Sequence, residues 1–357
     1  MRFKEDWEKS KKRFEALWNR EIIDRCCISI TAPRYTARYG SEILPDNPED
    51  WMKYRTDGEL ILKRKIADFE NTYFGGESFP QIFLDLGAAG HAGYFKGARY
   101  QVEETVWFFP SIEELTEDSL QFDENSMLYR KTIELAEYFT RESRGDFFVS
   151  MPDISGNADA LAHLMGSENL MMDMIQNKAK VHRALNEIQD VWLRTSEEIF
   201  RITHENNDGG STIGWLSTWA SGRHGQMQSD MSVMISPSMF EEFIMPELQA
   251  QSRWMDRSTY HFDGIDQLKH LDLLLSLERL DMIQWTNVAG QPSPLKFIDV
   301  FRRIQAAGKC LLLSLDPKDI QFVMEQLSSK GLYLLTSASS QEEAESIISM
   351  VETLTHD

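Results

Sequence analysis

Cysteine is scarce. The chain has three in 357 residues, with Cys26 and Cys27 adjacent and Cys310 far away. That is too few for a disulfide framework, and the C-x-x-C spacing of a metal knuckle is missing. This usage leads us to expect a reducing, cytoplasmic setting. Positive charge is also in short supply, with 37 Lys plus Arg against 57 Asp plus Glu and a formal net charge of -20. Such a surface repels a phosphate backbone, so nucleic acid is not an expected partner. No window reaches the roughly 18 consecutive apolar residues of a membrane span, and the charged first 20 residues lack the apolar core of a secretory signal. No membrane association is expected. Neither G-x-G-x-x-G nor a P-loop occurs, and residues 26–38 lack the Gly-rich phosphate turn that a doubly wound sheet carries after its first strand. Internal repeats, low-complexity tracts and Pro/Ser-rich linkers are absent, while 42% of residues are hydrophobic. Disordered and collagen-like chains are thereby excluded.

What is present is a recurring unit. Phe3, Trp7, Phe14, Leu17 and Trp18 recur at helical spacing and predict an amphipathic helix within residues 1–20 that docks on the body. Short apolar, often β-branched runs follow at 26–31, 81–86, 147–151, 211–216, 258–262, 282–286, 310–315 and 332–336, separated by longer helical patterns. Strand then helix, repeated about eight times, predicts a (β/α)8 TIM barrel with an extra N-terminal helical segment. The expected organisation is a single domain over 1–357, with the barrel from residue 24 and residues 91–123 inserted over its mouth.

In a barrel the catalytic groups follow the strands, because those loops form the active face. Arg34 and Arg38 follow the first run, Asp85 ends the second, Asp153 and Asn157 follow the third, and Trp219 and Arg223 follow the fourth. Then come His261 and Asp263, Gln284 and Asn287, Asp316, and finally Ser337 and Ser339. His261 and Asp263 sit two apart in a strand and project to the same side, where imidazole and carboxylate can bind a divalent cation or share a proton. Alternatively, Asp263 caps the helix that begins near Ile265 and His261 is bonded inside the barrel. Arg34 and Arg38, spaced R-x-x-x-R, are able to grip a carboxylate-rich anion, or are ordinary surface charge. Asp85 is read as an acid with an apolar wall or as a strand-end cap. Trp215 is assigned to the core, and Trp219 to a pocket with Arg223 and Asp230 for a flat, partly anionic ligand.

The order of segments resembles the uroporphyrinogen decarboxylase superfamily, which includes zinc-dependent methyltransferases acting between corrinoid proteins and thiols. The resemblance rests on 230–246, similar to that family's ISPxxFxEFxxP helix, with the His-containing strand 260–264 at the usual distance. Residues 159–166 and 289–294 add to it. It implies the barrel, a homodimer, and an Arg pair and an Asp at the positions of Arg34, Arg38 and Asp85 for decarboxylation. For methyl transfer it implies zinc at H-x-C and a late Cys. Here those positions read His261-Phe-Asp263 and Ser337-Ala-Ser339, so both thiolates are replaced.

The reading that follows is metal-assisted methyl transfer. A divalent ion, zinc as first choice, would sit at His261 and Asp263 with Asp85 or Glu103 as third partner, and a corrinoid or a corrinoid protein would serve as donor. The alternatives are a cofactor-free decarboxylase of a tetrapyrrole or other carboxylated aromatic, with Asp85 catalytic, and a non-catalytic corrinoid or tetrapyrrole-binding protein.

Overall fold

Each of the eight apolar runs contains a strand in the computed structural model, which describes residues 1–34, 44–154 and 156–357. The strands are β1 Cys27–Pro33, β2 Thr72–Gly76, β3 Gln81–Ile82, β4 Arg99–Val102, β5 Val106–Phe109, β6 Phe148–Val149, β7 Gly210–Ile213, β8 Thr218–Ser221, β9 His224–Met227, β10 Arg257–Phe262, β11 Met282–Trp285, β12 Cys310–Ser314 and β13 Leu332–Ser337. The chain is an α/β protein with a mostly parallel central sheet. One continuous ladder runs β2-β1-β13-β12-β11-β10-β9, antiparallel only at β2. β3 pairs with β6, and Met151 bridges to Ile213 of β7, both in parallel. Among the described residues these ladders stay separate from the seven-stranded one, so backbone hydrogen bonding does not close a ring.

The strands are nearly continuous apolar runs because helices cover the outer face of a parallel sheet. Met127–Ser143, Lys178–Thr203, Met245–Trp254, Ile298–Ala306, Pro317–Gln326 and Gln341–Leu354 supply that cover. The N-terminal helix Trp7–Trp18 takes its expected place. Trp7 and Phe14 pack with Phe79, Phe148 and Trp219 in an aromatic cluster against the sheet. Arg25 and Glu77 are buried beside it as a two-pronged ion pair, each contact 2.7 Å. The expected insertion at 91–123 contains the β4–β5 hairpin.

The fourth run departs from the single strand expected. Ser217 adopts φ 50°, a left-handed conformation uncommon for a residue with a side chain, and the chain reverses there. β8 then runs antiparallel to β7, and the chain turns again into β9, which joins β10 in parallel. A strand outside the expected set therefore delivers the loop that begins at Gln228.

Candidate metal centre

His261 lies at the C-terminal end of β10, directly opposite Gln284 of β11 in the register. Opposed residues on neighbouring strands share a face, and so does Thr286 two residues further on. His261 Nδ1 consequently lies 2.5 Å from Gln284 Oε1 and 3.0 Å from Thr286 Oγ1. The Gln284 amide nitrogen donates to the Trp285 carbonyl at 2.8 Å, which turns Oε1 toward the imidazole. An acceptor at Nδ1 makes that nitrogen the donor and leaves Nε2 facing Asp263, whose Oδ1 is 3.2 Å away.

Asp263 immediately precedes the short helix Gly264–His270, yet it makes no capping hydrogen bond. The Ile265 amide donates instead to Gln291 Oε1 at 3.1 Å. The oxygens of Asp263 face His261 and the Gln267 amide nitrogen, the latter at 3.3 Å. The capping alternative is thereby set aside.

The third member is Asp230, in the turn after β9. Ligand atoms of Asp230, His261 and Asp263 all lie within 4.8 Å of one another. The turn is pinned by Asp159, which accepts the backbone N–H groups of Asp230 and Met231 at 2.9 and 2.8 Å. The Trp215 ring stands edge-on to His261, with centroids 4.8 Å apart, and its indole N–H donates to Gln226 Oε1 at 2.5 Å. Gln226 in turn donates to Asp153 at 2.8 Å.

Several acids in a small, partly dry volume resist ionisation together. Asp230 is exposed to solvent, yet partial desolvation by the surrounding chain first, and then the Asp263 carboxylate, push it up to about 6, against a smaller lowering by His261. Burial and Asp230 push Asp159 up to about 7, even though two backbone N–H groups favour its charged form. Burial disfavours the His261 imidazolium, but Asp263, Gln284 and Asp230 together outweigh it and raise His261 above its ordinary 6.5. These shifts favour bound protons on Asp230, Asp159 and His261. One nitrogen and carboxylate oxygens form a donor set that zinc, manganese or iron(II) accepts.

Other expected site residues lie elsewhere. Trp219 is fully buried, its N–H on the Asn207 carbonyl at 2.9 Å and its ring edge-on to Trp7. The expectation for the two indoles is reversed, because the turn at Ser217 carries Trp219 back toward the N-terminal helix and leaves Trp215 at the site. Arg223 pairs with Glu197 at 2.9 Å and covers the Phe200 and Trp254 rings, away from the cluster. Asn157 is buried, donating to Gln189 at 2.7 Å and, through its backbone, to Glu247 at 3.1 Å. Asp85 pairs with Arg55 at 2.7 Å, and Glu103 accepts from Gln101 on the β4–β5 hairpin. Neither belongs to the Asp230–His261–Asp263 group. Arg34 lines an outer groove with Lys4, Tyr73 and Glu345. Arg38 lies outside the described residues. Ser339 bonds Glu343, while Ser337, Asn287 and Asp316 line a separate cavity at the C-terminal ends of β11–β13.

Residue reasoning alone placed Asp230 with substrate and not with metal, and missed Asp159 and Trp215 as neighbours of the cluster. The alternation Gln226-x-Gln228-x-Asp230 was the available signal, since it marks a strand with a polar inner face.

No protein-family model matches the sequence, and no curated protein matches it. Among solved structures, a methyltransferase from Methanosarcina mazei superposes with a TM-score of 0.57 at 12% identity, covering 96% of this chain and 98% of its own. At that identity the likeness is one of fold. No helix among the described residues is long and apolar enough to cross a membrane.

Proposed function

We propose that this chain is a metal-assisted methyl-transfer enzyme built on a (β/α)8 barrel, with a corrinoid or a corrinoid-bearing protein as methyl donor. The observation that carries this reading is the convergence of Asp230, His261 and Asp263 within 4.8 Å, next to Trp215. The fold it shares with a methyltransferase, and the segment order resembling the uroporphyrinogen decarboxylase superfamily, support it. The donor set fits a divalent ion. The Gln284 and Thr286 oxygens hold the His261 ring so that Nε2 faces the carboxylates, the outer-shell support that metal-binding histidines require. When bound, the ion would lower the pKa of a methyl acceptor and hold it in place.

Asp230 and Asp263 would bind the ion, Asp159 would fix the turn that carries Asp230, and Trp215 would wall one side of the acceptor. Zinc remains the first choice, with manganese or iron(II) favoured more than in a thiolate site because the replacements are oxygen donors.

Metal analysis of protein purified without an affinity tag tests this. About one equivalent of metal per chain is expected in the wild type and close to none in His261→Ala or Asp263→Ala. The double variant should be no worse than either single one, since the first loss removes the shared function. Wild-type protein that neither retains nor takes up a divalent ion would overturn the reading.

A further inference from the structure

A cavity of about 560 Å³ opens at the C-terminal ends of β1 and β11–β13, and Asp230, His261 and Asp263 are not among its described lining residues. This lies within the ordinary size range of small-molecule sites, roughly 300–1,000 Å³. Two of its lining residues tie it to the cluster. Asn287 follows Thr286, whose hydroxyl touches His261, and Ser217 lies two residues after Trp215, whose ring packs on the same imidazole.

The lining is chemically uneven. Hydroxyl side chains make up seven of its thirteen residues, among them Ser29, Thr31, Ser314 and Ser337. Two more are carboxylates, Asp316 and Asp319, one is Asn287, and none of the described lining residues is Lys, Arg or His. None of the described lining residues is aromatic either.

That composition discriminates between ligand classes. A carboxylated or phosphorylated ligand needs a cationic partner once desolvated, and here it would meet two acids on the cavity side and more at the cluster. A quaternary ammonium draws on aromatic faces, which the described lining residues do not supply. A hydroxyl both donates and accepts, and Asp or Asn oxygens accept from vicinal hydroxyls, so the wall matches a ligand that is itself rich in neutral oxygen.

We propose that this cavity binds a small, uncharged, polyhydroxylated compound and orients it toward the metal cluster. The inference rests on the functional reading above and deepens it, naming the class of small molecule that reaches the proposed methyl-transfer site. The polyol's hydroxyls would exchange hydrogen bonds with Thr31, Ser314 and Ser337, while Leu315 and Leu335 shield its carbon faces.

Isothermal titration of the full-length protein tests it, with erythritol, xylitol and myo-inositol as probes and with tricarballylate and tetramethylammonium as charged counterparts. Metal content is measured on the same samples. Saturable binding of at least one polyol is expected, with none for tricarballylate. Thr31→Val and Ser314→Ala, which each remove one hydroxyl, should weaken it by roughly fivefold, the scale of one hydrogen bond. Failure of all three polyols, or binding of either charged probe in their place, would overturn the inference even if the metal is present. Polyol binding by a protein that takes up no metal would leave the cavity assignment standing and remove the methyl-transfer reading instead.

Discussion

Replacing Asp159 by Asn is the perturbation that best isolates the electrostatics of the site, because Asp159 is buried yet is not itself a proposed ligand. In the folded chain its pKa is raised from 3.8 to about 7. A folded-state value above the unfolded one means that the native protein binds the proton more tightly. The associated stability is therefore fully present below about pH 4 and is lost as pH rises through 7. About three pH units at about 1.4 kcal/mol each give a loss on the order of 4 kcal/mol across that window. The wild-type curve alone does not show this cleanly. Burial lowers His91 to about 3 and His224 to about 4, and those groups act oppositely, stabilising the fold as pH rises toward 6.5. The difference between wild type and variant removes their contribution. Asn keeps one acceptor for the backbone N–H groups of Asp230 and Met231 and loses the other, so the variant should be less stable at pH 4.5, by about 1–3 kcal/mol. At pH 8 the gap should shrink or reverse, because the variant no longer buries a charge. Urea unfolding of chelator-treated protein at the two pH values is the assay. A gap that is unchanged, or that widens with pH, would refute the argument that burial and Asp230 hold a proton on Asp159.

Three further outcomes follow from the packing and the ion pairs. Trp219→Ala should cost about 3–5 kcal/mol, as for a large buried side chain, while leaving metal uptake intact in the folded fraction; loss of metal with unchanged stability would return Trp219 to a pocket. Trp215→Phe should leave stability within about 1 kcal/mol, since it gives up the single hydrogen bond to Gln226, but should alter metal affinity measured by chelator competition. Glu77→Ala should destabilise by about 3–5 kcal/mol because it strands the buried Arg25 guanidinium, and a thermal melt indistinguishable from wild type would show that the pair is hydrated.

Much of the architecture was legible because it depends on local pattern. Parallel strands covered by helices must be apolar on both faces, so β1, β3, β6, β7, β10, β11, β12 and β13 appear as short apolar runs, and the docked helix Trp7–Trp18 appears in its spacing. The juxtaposition of His261 and Asp263 was legible for the same reason, since residues two apart in or just beyond a strand share a face.

The sequence by itself marked eight of the thirteen strands and the docked N-terminal helix, and it paired His261 with Asp263. Those properties follow from side-chain alternation within a few residues. Tertiary structure alone decided that Asp230 completes the cluster, that Trp215 and not Trp219 borders it, that Asp263 faces the imidazole instead of capping its helix, and that Arg34 lies in an outer groove. Each of these depends on where a turn sends the chain. A left-handed Ser217 reverses β7 into β8, and Asp159, 71 residues from Asp230, pins the turn that carries the third carboxylate. Periodicity carries no information about partners that distant, because their meeting is fixed by packing and not by spacing.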